Sequence, residues 1–240
     1  MNVYRSLSPI RAMSFDLDDT LYDNRPVIQR VEREVTAWLH TQHPVSASKP
    51  LSWWQQLKKE LIQTERQLAH DLTHLRFRQV EQGLIRLGYQ DTEAEQAANN
   101  TLQEALRLRS DFVVPPKTHR ILGMLSKRLP LVAITNGNVD VERIGLDKYF
   151  SSVLRAGSDG DAKPHHHMFS KAAEFLELSP SNILHVGDHL LSDVSGAKMS
   201  GFQACWFNDQ GVILTHHRQA KTLPDIEIQD VEELLALVRC

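Results

Sequence analysis

The segment 12–20 constrains the fold most, because a short apolar run there ends in three carboxylates within four positions. A few apolar residues without helical periodicity are typical of a buried strand. The carboxylates of Asp16, Asp18 and Asp19 repel one another at the end of that strand unless a positive group lies among them. At the mouth of a parallel sheet, a hard cation that prefers oxygen ligands, such as Mg2+, is the expected partner. A strand followed by a plain acidic turn fits the same residues, so the rest of the chain has to decide.

The composition excludes several classes of protein. The 240 residues are 41% hydrophobic and 24% charged, which suits one large domain or two modest ones. A net charge of -3 without blocks of like charge argues against a nucleic-acid partner. No signal-peptide core and no membrane-length apolar stretch occur, so we expect a soluble, cytoplasmic protein without a membrane partner. The two cysteines, Cys205 and Cys240, fit a reducing compartment and allow no zinc-type spacing.

Residues 23–112 have the pattern of an all-helical insertion. Apolar residues recur there at helical spacing in four groups: Val27, Ile28, Val31, Val35, Trp38 and Leu39; Trp54, Leu57, Leu61 and Leu68; Leu72, Leu75, Val80, Leu84 and Ile85; Leu102, Ala105, Leu106 and Phe112. Residues 46–50 form a linker between the first two helices. Gly88 is placed to end the third helix, and Asp91 or Thr92 to begin the fourth.

From residue 113 onward, short apolar runs alternate with amphipathic helices. The runs are residues 131–135, 152–156, 183–187 and 203–207, and residues 231–238 form a closing helix. This alternation predicts an α/β fold with a doubly wound, Rossmann-like parallel sheet of five strands, counting the first run. The sequence therefore predicts a core of residues 1–22 and 113–240, with residues 23–112 inserted as a helical cap domain.

Polar residues follow each apolar run at the point where ligands bind in doubly wound sheets. They are Thr135 and Asn136 at the end of run 131–135, Lys163 after run 152–156, and Asp188 with Asp193 after run 183–187. Each has another interpretation when taken singly. Asn136-Gly137 is a common hairpin turn, Lys163 before Pro164 could be a solvated lysine opening a helix, and Asp193 could be a helix cap. Because all of them fall on the edge that carries Asp16, we expect one shared site.

The ordered set Asp16-Leu17-Asp18-Asp19-Thr20, Thr135-Asn136, Lys163-Pro164 and Gly187-Asp188 with Asp193 resembles the haloacid dehalogenase superfamily over the whole chain. The resemblance implies a phosphatase with a helical cap of the C1 type. It implies that Mg2+ lies between the Asp16 carboxylate, the Asp18 backbone carbonyl and the Asp188 carboxylate, with Asp193 holding the metal directly or through another ligand. Thr135 and Asn136 would bind the phosphoryl oxygens, and Lys163 would neutralise the charge of the nucleophile and the phosphate.

Two carboxylates divide the expected chemistry. Asp16 is suited to attack phosphorus and form an aspartyl phosphate. Asp18 lies two residues on, on the same side, and is suited to protonate the leaving oxygen and then activate water. Members that resemble true dehalogenases lack a carboxylate at this second position, so Asp18 favours phosphoryl over carbon–halogen chemistry.

The cap is the expected lid and the expected source of substrate selectivity. Candidate selectivity residues are Tyr22, Asn24, Arg25, Arg76 and Arg78. Arginines beside an aromatic residue can stack on a ring or hold an anion, but a solvated helix face fits Arg76-Phe77-Arg78 equally well. His189 either tunes the metal site or faces solvent, with solvent the expectation, and the run His165-His166-His167 is expected at the surface because three consecutive helical residues cannot share one face.

Four stretches also resemble the YigB-type flavin-pathway phosphatases: residues 15–26, 131–138, 183–188 and 203–206. This implies a small phosphorylated metabolite as partner, either 5-amino-6-(5-phospho-D-ribitylamino)uracil of riboflavin biosynthesis or FMN. The resemblance is closer in the core than in the cap, which selects the substrate. A general sugar-phosphate or phosphoglycolate-type phosphatase is one alternative, and a catalytically silent binding or regulatory protein is the other.

Overall fold

A mixed seven-stranded sheet forms the centre of the computed structural model, which describes residues 1–214 and 220–238. Its strands are β1 (Asn2–Val3), β2 (Ala12–Phe15), β3 (Leu131–Thr135), β4 (Ser152–Arg155), β5 (Ile183–Gly187), β6 (Gln203–Phe207) and β7 (Ile226–Ile228). The spatial order is β1-β7-β6-β5-β2-β3-β4. All neighbours run parallel except β1, which is antiparallel to β7.

The predicted fold class is confirmed, and the sheet extends further than the sequence predicts. Strands β2 to β6 are the five predicted strands, and they are contiguous and parallel. Strands β1 and β7 add a short edge that the sequence analysis missed. Two and three residues are too few to display the alternation by which a strand is recognised. Cys240, one of the two cysteines considered above, lies outside the described residues.

The topology places a crevice at the carboxyl end of β2. This strand lies between β3 and β5. After β2 the chain adds β3 and β4 on one side of it, and then crosses to add β5 and β6 on the other side. Such a reversal leaves the crossover connections on opposite faces and opens a crevice beyond the strand ends. All four residues of β2 are buried, as a strand covered on both faces requires.

Four helices lie where the periodicity of residues 23–112 predicts them: α1 (Arg25–Gln42), α2 (Leu51–Thr64), α3 (Leu72–Arg86) and α4 (Asp91–Arg109). Their apolar faces form a separate core in which Trp54, Leu57 and Leu84 are buried. Gly88 follows α3 with φ of 99°, which a glycine adopts at little cost. At the start of α4, Gln90 and Glu93 form a capping box. The boundaries 23 and 112 of the cap domain stay a prediction.

The remaining helices cover the faces of the sheet. They are α5 (Pro116–Leu125), α6 (His167–Leu176) and the short α7 (Gly196–Met199), and residues Val231–Val238 close the chain as a 3-10 helix. Apolar side chains fill both interfaces, with Phe15 and Leu122 on one face and Phe169 and Phe202 on the other. Within residues 1–214 and 220–238, none of the helices combines the length and apolar character needed to cross a lipid bilayer.

Candidate active site

Polar side chains from four strand ends meet at the crevice beyond β2. Asp16 directly follows β2, and its backbone N–H donates to the Val186 carbonyl of β5 at 2.9 Å. Thr135 is the last residue of β3, and Asp188 follows β5. Lys163 arrives from the loop that follows β4. The structure therefore places on one edge the residues that the sequence analysis assigned to one site.

Lys163 is the buried centre of this arrangement. It is 4% exposed, and its Nζ donates to Oδ1 of Asp16 at 2.7 Å, to Oδ1 of Asp193 at 2.7 Å and to the Ile134 carbonyl at 2.6 Å. These contacts use all three donors of the ammonium group. The side chain of Asn136 holds the backbone of Lys163, accepting from its N–H at 2.7 Å and donating to its carbonyl at 3.0 Å. Hydrogen bonds therefore hold both the backbone and the ammonium group of Lys163 in place.

Asp193 supports the site with both carboxylate oxygens. Its Oδ1 contacts Lys163 and lies 3.3 Å from Nε2 of His185, while Oδ2 accepts the backbone N–H of His189 at 2.9 Å. A Cβ atom at Gly187 would lie 2.3 Å from Cγ of Asp193, so only glycine permits this approach. Since both oxygens already accept hydrogen bonds, Asp193 is better suited to orient its neighbours than to bind a metal directly.

The surroundings shift the pKa values of the charged groups at the site in different directions. Burial raises the pKa of Asp16 well above its usual value; the Lys163 ammonium opposes this shift, and the Asp193 and Asp18 carboxylates add to it. Burial also acts to raise the pKa of Asp193, but Lys163 and His185 outweigh it and the net shift is downward. For Lys163, burial lowers the pKa, and the two carboxylates more than reverse this, so the group stays protonated. The Lys163 ammonium lies 2.7 Å from one oxygen of each of these two carboxylates, so it compensates only part of their combined charge.

Asp188 completes an acidic cluster that fits a divalent cation. One carboxylate oxygen from each of Asp16, Asp188 and Asp193 lies within 4.8 Å of the others. Burial raises the pKa of Asp188 to about 7, and the charges of Asp193 and Asp19 act in the same direction. Among the described residues its carboxylate receives one side-chain hydrogen bond, from Thr20 at 3.3 Å. Three carboxylates around one ammonium leave negative charge, and oxygen donors of this kind are the ligands that Mg2+ prefers.

Asp18 and Thr135 face the same crevice with free hydrogen-bonding capacity. Oδ1 of Asp18 accepts from the Tyr22 hydroxyl at 2.6 Å and from Nη2 of Arg109. Its Oδ2 accepts no hydrogen bond from a described residue and lies 2.4 Å from where a Cβ of Gly137 would be. The Thr135 hydroxyl accepts the Gly137 N–H at 2.9 Å and keeps its own proton to donate.

Sequence reasoning missed two residues of the site, Arg109 and His185. Arg109 is 4% exposed and continues the buried face of α4 from Ala98, Thr101 and Ala105. A charged residue at the next position of an apolar helical stripe is the signal that could have found it. His185 is buried within β5, where its Nδ1 lies 2.9 Å from the Ser14 hydroxyl and its Nε2 faces Asp193. A histidine inside an apolar strand was the corresponding signal.

The candidate selectivity residues are not all brought together. A cleft of about 750 Å³ opens between the cap helices, lined by apolar Trp54 and Leu75 and by basic Arg33, Lys58 and Arg76. It extends to Arg109 at the end of α4 and to Asn138 of the core. We call this opening the cap cleft.

Of the five candidates, only Arg76 lines the cap cleft, where it pairs with Glu32. Tyr22 is buried against Asp18, and Asn24 is buried with its Oδ1 unpartnered among the described residues. The exposed Arg25 pairs with Asp23 outside the cleft. Arg78 is held by Glu65 at 2.8 Å and by Glu81.

The histidines considered above lie at the periphery. The ring of His189 accepts the backbone N–H of Ser192 at 3.0 Å and so caps the turn that carries Asp193. This ring is half-buried rather than facing open solvent. His165, His166 and His167 are all exposed at the start of α6, as the sequence analysis expects.

Comparison with known proteins identifies relatives along the whole chain. Residues 10–201 match the model of the haloacid dehalogenase-like hydrolases. The chain is 43% identical over 238 residues to the Escherichia coli (strain K12) 5-amino-6-(5-phospho-D-ribitylamino)uracil phosphatase YigB, covering 99% of this chain and 100% of that protein. It is 26% identical to the human N-acylneuraminate-9-phosphatase over 97% and 95% of the two chains. Both of these relatives are phosphatases by name.

A solved structure shares the fold closely. The crystal structure of a 2-haloacid dehalogenase from Pseudomonas syringae pv. Tomato DC3000 superimposes with a TM-score of 0.89 at 34% identity, covering 95% of this chain and 97% of that one. The arrangement of core and cap described above is therefore shared with relatives named for different reactions.

Proposed function

The chain belongs to the haloacid dehalogenase-like hydrolase family and is a phosphatase, and we propose that it hydrolyses its substrate through an aspartyl phosphate on Asp16 with Mg2+ as cofactor. The observation that carries this proposal is the buried Lys163 ammonium, which touches Asp16 at 2.7 Å beside the acidic cluster. A fixed cation orients the carboxylate at the strand end for nucleophilic attack. The same cation can stabilise the negative charge of the substrate that is attacked.

In the proposed reaction, the Asp16 carboxylate attacks phosphorus while Lys163 compensates the charge of the nucleophile and the phosphoryl group. The Thr135 hydroxyl accepts a hydrogen bond from the Gly137 N–H and donates one to a phosphoryl oxygen. Asp16 and Asp188 would hold Mg2+, with Asp193 keeping Lys163 in place. When bound, the ion supplies positive charge that screens the phosphoryl oxygens and orients them for in-line attack.

We assign proton transfer to Asp18. The residue follows Asp16 by two positions, and its Oδ2 is free of hydrogen bonds from the described residues. In the first step it protonates the leaving oxygen, and in the second it takes a proton from the water that hydrolyses the acyl phosphate. A dehalogenase releases halide, which needs no proton, so this second carboxylate supports phosphoryl chemistry although a structural relative is named a dehalogenase.

The proposed substrate is 5-amino-6-(5-phospho-D-ribitylamino)uracil, with FMN as a second candidate. The name of the relative at 43% identity supports this assignment. The cap cleft has the size of a small-molecule site and combines the indole of Trp54 with the guanidinium of Arg76, groups that suit a planar ring bearing carbonyl oxygens.

A panel of phosphomonoesters assayed with Mg2+ tests the substrate. We expect the highest kcat/KM for the ribitylaminouracil phosphate, then FMN, and lower values for hexose phosphates and phosphoglycolate. A clear preference for hexose phosphates would replace the flavin-pathway assignment with a general sugar phosphatase. A folded protein with no activity on any member would instead support a silent binding role, and activity that survives chelation of divalent ions would contradict the cofactor.

Trapping the phosphorylated enzyme tests the intermediate. Acid quenching during turnover, followed by mass spectrometry of the peptide that contains residues 12–20, should find phosphate on Asp16. Phosphate on another residue would assign a different nucleophile.

A further inference from the structure

Arg109 joins the cap to the carboxylate that we assign to proton transfer. It is the last residue of α4, and its Nη2 donates to Oδ1 of Asp18. The side chain of Asp18 is 21% exposed to solvent, whereas that of Arg109 is 4% exposed. A buried guanidinium is costly to desolvate unless its partner is well placed, so this pair defines where both groups lie.

Hydrogen bonds also hold the backbone around Arg109 in place. Nη2 of Arg30 on α1 donates to the Leu108 carbonyl at 3.0 Å and to the Asp111 carbonyl at 2.6 Å. The next residue, Ser110, accepts the N–H of Asp140 from the core at 3.0 Å. These contacts fix the end of α4 against both the first cap helix and the loop after β3, so the guanidinium approaches Asp18 from a defined direction.

The two oxygens of Asp18 are therefore not equivalent. Oδ1 receives two hydrogen bonds, one from Tyr22 and one from Arg109, and Oδ2 receives none from the described residues. A carboxylate anchored through one oxygen can rotate little, and the other oxygen is left to exchange a proton. Nη1 of Arg109 also has no partner among the described residues, and the residue lines the cap cleft.

We propose that Arg109 is a positioning residue: by holding Oδ1 of Asp18 it aims Oδ2 at the leaving-group oxygen of the substrate. This inference rests on the proposed function. As the bond from phosphorus to the leaving oxygen breaks and a bond from phosphorus to Asp16 forms, the electron pair stays on the leaving oxygen and the proton on Oδ2 moves to it. Since Arg109 belongs to the cap, the acid–base group is aimed only while α4 is seated on the core.

The test is the dependence of kcat/KM on the leaving group, because this constant covers the steps up to departure of that group. The substrates are p-nitrophenyl phosphate, phenyl phosphate and an alkyl phosphate, assayed with Mg2+. Arg109→Met should lower kcat/KM for the alkyl phosphate by about 100-fold, the cost of a misplaced catalytic group. The loss should shrink through phenyl phosphate to p-nitrophenyl phosphate, since nitrophenolate departs without a proton. Arg107→Met, an exposed arginine on the same helix that pairs with Glu104, is the control and should follow wild type.

A second measurement separates positioning from a structural role. In an Asp18→Asn background, Arg109→Met should cause no further loss, because it acts through the missing carboxylate. Equal losses on all three substrates, or a full additional loss in the Asp18→Asn background, would overturn the proposal. If Arg109→Met does not fold, Arg109→Lys keeps the buried charge and should show the same trend at smaller size; a flat profile there would also overturn it. Inactivity of the wild type toward all three substrates would instead contradict the proposed function itself.

Discussion

Lys163 at the centre of the core site is held differently from two arginines on helix α3 of the cap. In the core, Lys163 is buried and makes three hydrogen bonds, two of them to carboxylates that are themselves buried. On α3, the partly exposed Arg76 and the exposed Arg86 each pair with one glutamate. Removing one member of a fully hydrogen-bonded buried network is costly to stability. An exposed ion pair contributes little to stability, so its residues can be replaced. We therefore expect substitutions at Lys163 to have larger effects than substitutions at these two arginines.

The largest effect should come from removing the nucleophile. We expect Asp16→Asn to lower kcat by roughly 10⁴-fold or more for every substrate, because the side chain keeps its shape and loses the attacking charge. The circular dichroism spectrum should match wild type, because Lys163 keeps Asp193 and the Ile134 carbonyl as partners. The control is Asp147→Asn, an exposed carboxylate of the core that should retain full activity. Wild-type turnover in Asp16→Asn would refute the assignment.

Removing the buried cation should separate the two regions by stability. Lys163→Met leaves Asp16 and Asp193 without their shared partner and should lower the free energy of unfolding by about 3–5 kcal/mol. Arg86→Met removes an exposed pair with Glu60 and should cost about 1 kcal/mol or less. Urea denaturation measures both. Similar losses in the two variants would contradict the contrast between core and cap.

Two helical glycines should respond in opposite directions to the same substitution. A Cβ at Gly83 of α3 would lie 2.1 Å from the Trp54 ring, so Gly83→Ala should destabilise the cap by about 1–3 kcal/mol and push the indole toward the cap cleft. At Gly123 of α5 the nearest atom to a Cβ is 3.5 Å away, so Gly123→Ala should stabilise the protein by about 0.5–1 kcal/mol. Thermal unfolding gives both signs. A stabilised Gly83→Ala would mean that the Trp54 ring has room to move.

The smallest effect should be confined to substrate choice. Arg76→Gln in the cap cleft should raise KM for FMN by about threefold, as expected for one exposed charged contact, and leave KM for p-nitrophenyl phosphate unchanged. The matched control is Arg78→Gln, whose side chain is held by Glu65 and Glu81 outside the cleft lining. Steady-state kinetics on the two substrates decide it. A rise for both substrates would place Arg76 in the common machinery instead.

Local sequence was sufficient for much of the core site. Asp16, Thr135 and Asp188 each stand at the end of an apolar run, and parallel strand ends share an edge, so their meeting could be predicted. The helices of the cap were equally visible, because amphipathic periodicity is a local property. Strands β1 and β7 were missed because they are too short to display a period.

Contacts between distant segments had to come from the fold. The contact of Arg109 with Asp18 joins residues 91 positions apart, and the contact of His185 with Ser14 joins residues 171 positions apart. Arg76 and Arg78 are two residues apart on α3, yet Arg76 lines the cap cleft and Arg78 pairs with Glu65. The positions of the neighbouring helices determine this difference.

By itself, the sequence determined the order of the elements, the edge on which the acids gather and the residue types available for phosphoryl chemistry. These follow from short-range patterns of polarity, which every strand and helix carries independently of its neighbours. Only the tertiary structure decided which oxygen of Asp18 is anchored, that Asp16 and Asp193 share the Lys163 ammonium, and which cap residues line the cleft. Hydrogen bonds and burial are set by the packing of segments far apart in the chain, and no local pattern encodes that geometry.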